Sequence, residues 1–168
     1  MQSFPSWLYA HLSRFDNNFL HHAYLISGRK GVGKSLLANR LAMQVLCHSK
    51  DAILCGECHS CKLSDLENHP DFHTLKILPE KKLIGISQIH ELRSKLYESA
   101  FLGKNKAIIL PHLEKISLDG LNAFLKILEE PPDNTYFFLV SDFLNQVPAT
   151  IQSRCIDIKI NLPDLDES

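Results

Sequence analysis

Gly28-Arg29-Lys30-Gly31-Val32-Gly33-Lys34-Ser35 is the stretch that decides the fold, because it matches G-x-x-x-x-G-K-[ST] at every fixed position. The compact apolar run 23–27 before it predicts a β-strand, and the apolar residues after it recur with a helical period. Strand, glycine turn and helix in this order open a βαβ unit. The glycines let the backbone aim several N–H groups at one anion, and the helix start adds its positive dipole end.

The residue types of this loop predict a site for ATP or ADP with Mg²⁺. Lys34 has the length to reach the β and γ phosphates, and the Ser35 hydroxyl is suited to Mg²⁺. Two alternatives stay open from the residues alone. The segment is either a chance glycine-rich turn, or a phosphate loop that has kept its sequence and lost its affinity.

Outward from the loop, apolar patterns predict strands and helices that alternate along the chain. Strands are predicted at 71–78, 106–110, 135–141 and 156–160, and helices within 1–19 and at 86–98, 118–130 and 149–155. The last long helix must stop at Pro131-Pro132, since proline cannot continue it. Alternation of this kind predicts an α/β fold with a mostly parallel sheet and helices on both faces.

Four cysteines interrupt this pattern and predict a small zinc-binding insertion over residues 47–61. They are Cys47, Cys55, Cys58 and Cys61, spaced C-x7-C-x2-C-x2-C. Four thiolates make a closed, tetrahedral and structural zinc site with no open position for a substrate. His48 and His59 are candidate substitutes for one ligand, and free buried cysteines are the alternative interpretation. The fifth cysteine, Cys155, is expected to be a free thiol.

Composition narrows the class of protein. The 168 residues suffice for one domain with a real core, and the net charge of -1 argues against coating nucleic acid by charge alone. No apolar run approaches the roughly 20 residues of a membrane helix, and residues 1–13 lack the pattern of a secretory signal. We therefore expect no membrane partner and a cytoplasmic location, where clustered cysteines indicate metal rather than disulfides.

Three further motifs give the chain a family resemblance. They are His69-Pro70-Asp71-Phe72, then Leu125-Lys126-Ile127-Leu128-Glu129-Glu130-Pro131-Pro132, and Ser153-Arg154-Cys155. Together with the phosphate loop and the cysteines that follow its helix, they resemble the bacterial clamp-loader family, the AAA+ domains of the gamma/tau and delta-prime subunits. The resemblance runs over residues 22–163, and the last two motifs are the most specific.

The resemblance implies a RecA-like AAA+ domain over residues 1–163, with 164–168 starting a linker to a lid domain that follows in the family. It implies partners, the gamma/tau and delta subunits of the DNA polymerase III holoenzyme, a nucleotidyltransferase, and the task of placing a sliding clamp on primed DNA. Arg154 matches the arginine that reaches a neighbouring subunit's ATP. Its alternative role is an ordinary salt bridge. Ser141 stands where the family has a polar residue that senses phosphate.

One departure from the family concerns hydrolysis. An ATPase of this class needs carboxylates at the end of the strand beside the loop, but the strand at 106–110 is followed by Pro111-His112. Glu114 lies further on and is expected to point elsewhere. We therefore expect nucleotide binding without intrinsic hydrolysis, which favours the delta-prime type. The alternatives are an active gamma/tau-type ATPase and a P-loop nucleotide kinase with a zinc-bearing lid. Such a kinase would need extra arginines around the transferred phosphoryl group.

Overall fold

A parallel five-stranded sheet forms the centre of the computed structural model, which describes residues 4–15, 21–49, 54–65 and 67–162. The strands are β1 Ala23–Gly28, β2 Phe72–Thr74, β3 Lys106–Leu110, β4 Thr135–Ser141 and β5 Ile156–Ile160, in the order β2-β3-β4-β1-β5. The helices are α1 Ser6–Leu12, α2 Lys34–Leu46, α3 His59–Asp65, α4 Ile86–Tyr97, α5 Leu118–Glu129 and α6 Ala149–Gln152. Short 3₁₀ turns lie at Leu113–Lys115 and Leu144–Gln146.

Side chains along the strands alternate between two apolar cores, one on each face of the sheet, as the two-residue period of a strand requires. One core joins the strands to α1 and α2 and includes Leu8, Tyr24, Ile26, Leu37, Leu41, Ile109, Phe138 and Val140. The other joins them to α4 and α5 and includes Leu25, Ile89, Leu92, Ile108, Phe124, Ile127, Phe137 and Leu139. Helices therefore cover both faces, and the predicted fold class is confirmed.

Two local predictions differ from the structure. The strand predicted at 71–78 is only Phe72–Thr74, because β2 is an edge strand that pairs with β3 alone, and one further bond from Leu75 N to Ile109 O (2.9 Å) ends the pairing. Helix α3 was not predicted, since its seven residues are too short to show a period. The predicted linker at 164–168 lies outside the described residues. Among the described helices, none has the length and apolar character needed to cross a membrane.

A buried lysine ties β3 to the end of α4. Lys106 is 5% exposed, and its Nζ donates hydrogen bonds to Lys95 O (2.9 Å), Leu96 O (3.0 Å) and Glu98 O. These carbonyls belong to the last turn and the C-cap of α4, where backbone acceptors have no partner within the helix. The positive charge also opposes the negative end of the helix dipole. This contact fixes α4 against the sheet.

Partly buried histidines predict a pH dependence of stability. Nε2 of His22 donates to Leu128 O (3.0 Å), joining β1 to α5, and burial lowers the pKa of His22 and of His73. Because protonation then favours the unfolded chain, the stabilisation is complete above the unfolded pKa of about 6.5 and is lost as the pH falls below it. We expect urea denaturation to give a smaller free energy of unfolding at about pH 5.5 than at about pH 7.5. His73→Gln should reduce this difference; equal stability at both pH values would contradict the prediction.

Candidate functional site

The glycine-rich loop lies between β1 and α2, at the carboxyl edge of the parallel sheet, where open α/β sheets bind ligands. Two glycines are required there. A Cβ on Gly28 would lie 2.5 Å from Ile160 O of the neighbouring strand, and Gly33 begins α2 at φ 97° without a side-chain cap. The uncapped N–H groups of α2 therefore face the mouth of the loop, as a phosphate site needs.

Lys34 occupies the inside of this loop and is 4% exposed. Its Nζ donates to Gly28 O (2.8 Å) and Arg29 O (2.6 Å), and lies 2.6 Å from Oδ1 of Asp142. An ammonium group has three N–H donors, so these three partners use all of them. The loop is thus closed around its own lysine.

Asp142 contacts the lysine of the phosphate loop, and the sequence analysis missed it. It directly follows β4, which pairs with β1, so its position next to the loop follows from the strand order. Its side chain is 22% exposed. The available signal was an acidic residue at the carboxyl end of a buried strand, one position after Ser141.

Ser141 and Glu114 contact each other at the carboxyl edge of the sheet. Ser141 is 1% exposed, and its hydroxyl donates to Oε2 of Glu114 (3.2 Å) and accepts from Phe143 N (3.1 Å). Glu114 was expected to point elsewhere, but its side chain is 10% exposed and lies at the carboxyl edge of the sheet. The 3₁₀ turn that follows β3 brings it back towards β4. Pro111 and His112 supply no carboxylate, whereas Glu114 contacts Ser141 at the end of β4 and Asp142 directly follows it. The strand at 106–110 is also not the neighbour of the loop strand that the sequence analysis expected, because β4 lies between β3 and β1.

Helix α1 packs directly on the phosphate loop. Nε1 of Trp7 donates to Val32 O (3.3 Å), and a Cβ on Gly33 would lie 2.9 Å from Cδ1 of the buried Leu8. A change in loop conformation must therefore change the surroundings of Trp7. This is the only tryptophan of the chain.

The four clustered cysteines form the second candidate site. Their Sγ atoms all lie within 4.8 Å of one another, with 3.5 Å between Cys47 and Cys55 and 3.9 Å between Cys55 and Cys61. A tetrahedral zinc site with Zn–S bonds of about 2.3 Å places its sulfur atoms about 3.8 Å apart. The cluster therefore fits a tetrahedral metal ion. It joins the end of α2, which supplies Cys47, to α3, which supplies Cys61.

Local hydrogen bonds and burial act in opposite directions on these thiols. Backbone N–H groups of Cys58 and Glu57 point at the exposed Cys55 and lower its pKa to about 6. Burial raises the pKa of Cys61. A bound cation would favour the thiolate form of every ligand. Cys55 already favours the thiolate, whereas Cys61 would lose its proton only when a metal ion binds.

The two histidines considered as substitute ligands are not part of the cluster. Nε2 of His48 instead lies 3.0 Å from the hydroxyl of Ser60, and Nε2 of the buried His69 lies 3.0 Å from the same hydroxyl. Burial lowers the pKa of His69. This chain of hydrogen bonds fixes the insertion against the segment before β2.

The His69-Pro70-Asp71 segment has a structural role. Asp71 is 1% exposed, and its carboxylate accepts from Phe101 N (2.8 Å) and Leu102 N (2.9 Å). Asp71 N donates to Nδ1 of His69 (3.1 Å). The motif therefore connects the cysteine insertion with the loop before β3.

Arg154 lies at the surface next to the end of α5. Its Nη2 donates to Oε1 of Glu129 (2.7 Å), and its Nη1 donates to Thr150 O (2.8 Å). The side chains of Arg154 and Glu129 are 32% and 48% exposed. The salt bridge considered as an alternative role is thus present, but pairs this exposed contribute only about 0–1 kcal/mol to stability. It brings the L-E-E-P-P and S-R-C motifs together at one surface.

Comparison with known proteins agrees with these features. Residues 8–164 match the family model described as "DNA polymerase III, delta subunit". The DNA polymerase III subunit delta′ of Haemophilus influenzae is 37% identical over 150 residues, which cover 89% of this chain and 46% of that protein. The delta′ subunit of Yersinia pestis is 39% identical over 145 residues, covering 86% of this chain and 43% of that protein. The chain thus spans about half the length of these relatives.

Among solved structures, a DNA polymerase III gamma subunit-related protein from Thermotoga maritima has a similar fold. The TM-score is 0.64 at 22% sequence identity, and the match covers 92% of this chain and 46% of that chain. At this identity the likeness concerns the fold alone, and it agrees with the AAA+ class predicted from the motifs.

Proposed function

Because the chain belongs to the DNA polymerase III delta-subunit family, we propose that it serves in bacterial DNA replication as the delta-prime component of a clamp loader. The observation that carries this proposal is that the chain has both the S-R-C arginine and a phosphate loop, while β3 ends in Pro111-His112 without a carboxylate. Such a subunit assists a neighbour's ATPase site rather than running its own. The match to the DNA polymerase III delta-subunit family argues against the nucleotide-kinase alternative.

The partners in this proposal are the gamma/tau and delta subunits, with the sliding clamp and primed DNA reached through the assembly. The match of residues 8–164 to the DNA polymerase III delta-subunit family supports partners of this kind. A reconstituted loader tests the proposal: clamp loading on primed DNA should require this chain. Loading at the same rate without it would contradict the assignment.

The cysteine cluster supports a structural zinc ion as the resident metal. Cys47, Cys55, Cys58 and Cys61 would hold it, and four thiolates leave no position for a substrate. Zinc would fix the junction of α2 and α3. It would supply stability rather than chemistry to the proposed function.

The phosphate loop, residues Gly28 to Ser35, supports weak binding of ATP or ADP in this proposal. Backbone N–H groups at the start of α2 and the exposed Ser35 face the same mouth, while Lys34 is held inside. Ser141 would act through Glu114 at the adjacent strand end. Isothermal titration with ATP and Mg²⁺ should show binding that Lys34→Ala abolishes. No heat at millimolar nucleotide would mean that the loop no longer binds.

Hydrolysis separates the proposal from the second candidate, an active ATPase. The second candidate is favoured by one observation, that Glu114 and Asp142 both lie at the carboxyl edge of the sheet. Neither continues β3, where the carboxylates that hold Mg²⁺ and orient water are needed. We expect phosphate release to be equal for the wild type and Lys34→Ala. Turnover that depends on Lys34 would replace the proposal by the active-ATPase alternative.

A further inference from the structure

We propose that Asp142 is an internal competitor of the nucleotide for Lys34 and thereby sets the affinity of the phosphate loop. The inference rests on the proposed function, since it concerns the same loop, and it names the residue that limits binding there. It starts from the ion pair of 2.6 Å between Nζ of Lys34 and Oδ1 of Asp142.

All three donors of the Lys34 ammonium are in use. Two go to the loop's own carbonyls, Gly28 O and Arg29 O, and the third goes to Asp142. A phosphate oxygen can accept a hydrogen bond from Lys34 only if it displaces one of the three partners that Lys34 already has. Of the three, Asp142 is the one that carries a charge, so its carboxylate occupies the place that an anionic ligand needs.

Burial makes this competition strong. Lys34 is 4% exposed and the Asp142 side chain 22% exposed, so water screens the pair less than it screens an exposed pair. Asp142 also directly follows β4, which pairs with β1 beside the loop, so its backbone is anchored at the end of a paired strand. A pre-positioned anion of this kind costs little to order and is costly to displace without another anion in its place.

The arrangement determines which anions bind. A ligand must replace the Asp142 carboxylate at Lys34 and also occupy the N–H groups at the start of α2. A di- or triphosphate chain has enough charge and length to do both, whereas inorganic phosphate has only one centre. Arg29 and Lys30 are exposed on the same loop and add attraction for a longer phosphate chain. Asp142 therefore selects against small anions.

A magnesium-binding role for Asp142 makes a different prediction. A carboxylate that coordinates Mg²⁺ contributes to binding only when the ion is present, whereas a competitor weakens binding with or without Mg²⁺. Titrations of ATP in Mg²⁺ and in EDTA separate the two roles.

The test uses Asp142→Asn, which removes the charge and keeps the shape. Titration of ATP and ADP in EDTA should show an affinity on the order of tenfold higher than for the wild type. Asp157→Asn is the matched control, since Asp157 accepts from Ser27 beside the loop and does not contact Lys34. Its affinity should equal that of the wild type. Asp142→Ala, checked by thermal unfolding, repeats the measurement if the asparagine variant does not fold.

Trp7 gives a second readout that needs no ligand. Its Nε1 donates to Val32 O in the loop, so release of Lys34 should alter its fluorescence in Asp142→Asn and leave it unchanged in Asp157→Asn.

Each outcome of the titrations decides between the proposals. Higher affinity in EDTA for Asp142→Asn alone supports the competitor. Equal affinity of wild type and Asp142→Asn overturns it and leaves nucleotide binding standing. Weaker binding of Asp142→Asn in Mg²⁺ with no change in EDTA makes Asp142 a metal ligand and also overturns the competitor. Absence of binding in both proteins at millimolar nucleotide overturns the competitor together with the nucleotide-binding part of the proposed function.

Discussion

Replacing Arg154 with alanine is expected to slow ATP turnover at the neighbouring subunit's site by about 10³-fold in the assembled clamp loader. A guanidinium supplied in trans stabilises the charge that develops on the γ phosphate, and alanine supplies none. Arg154 is suited to this role because it lies at the surface, where its guanidinium donates hydrogen bonds to Glu129, Thr150 and Ser153 among the described residues. Phosphate release by the reconstituted loader measures the effect, after gel filtration has shown that the complex forms.

Three control variants make this result specific. Arg93→Ala removes another arginine, which stacks on Tyr97 of α4, and should leave turnover unchanged. Arg154→Lys keeps the charge but loses the planar fork, so its rate should remain well below that of the wild type. Glu129→Gln frees the guanidinium without removing it and should retain most of the activity. An Arg154→Ala loader that turns over ATP at the normal rate would show that the arginine has only a local role.

Loss of the proposed zinc ion is expected to have the second largest effect. Isolated structural zinc modules bind the metal with a free energy on the order of 10 kcal/mol, and this binding free energy also stabilises the fold. In a larger domain we expect removal to cost about 3–5 kcal/mol, which at about 2–4 °C per kcal/mol lowers the thermal midpoint by roughly 10 °C. Cys58→Ser should show this drop and lose the zinc found by metal analysis of the wild type.

Cys155→Ser is the matched control for the metal. Cys155 lies outside the cluster, and burial raises its pKa to about 12, which disfavours the thiolate form that binds metal. The variant should keep its zinc and change the midpoint far less. Zinc content that is nil in the wild type, or equal in Cys58→Ser and Cys155→Ser, would show that the cluster is not the metal site.

The elements that the sequence predicted well are those with a strong local signal. The strands at 106–110, 135–141 and 156–160 have the predicted bounds, because each is a run of apolar or β-branched residues ended by polar or turn-forming ones. The prediction was poorer at 71–78 and missed α3. An edge strand has only one partner and a two-turn helix has no period, so neither leaves a clear pattern in the sequence.

Pairings between distant motifs were not accessible from the sequence. Lys34 with Asp142, and Glu129 with Arg154, are each formed by residues from different elements. The hydrogen-bond chain from His48 through Ser60 to His69 likewise engages His48, one of the two histidines considered as substitute ligands, and the other, His59, is not part of the cysteine cluster. Spacing along the chain indicates which residues are suited to a chemistry, but it does not indicate which partner each one finds.

The sequence by itself determined the phosphate loop, the four-thiol cluster and the alternation of strands and helices. Each depends on spacing over a few residues, where backbone geometry leaves little choice. Only the tertiary structure decided that Lys34 is held by Asp142, that Glu114 turns back to Ser141, and that Arg154 stays at the surface on Glu129. These contacts depend on the strand order, which places β4 between β1 and β3 and brings the ends of distant strands to one edge of the sheet.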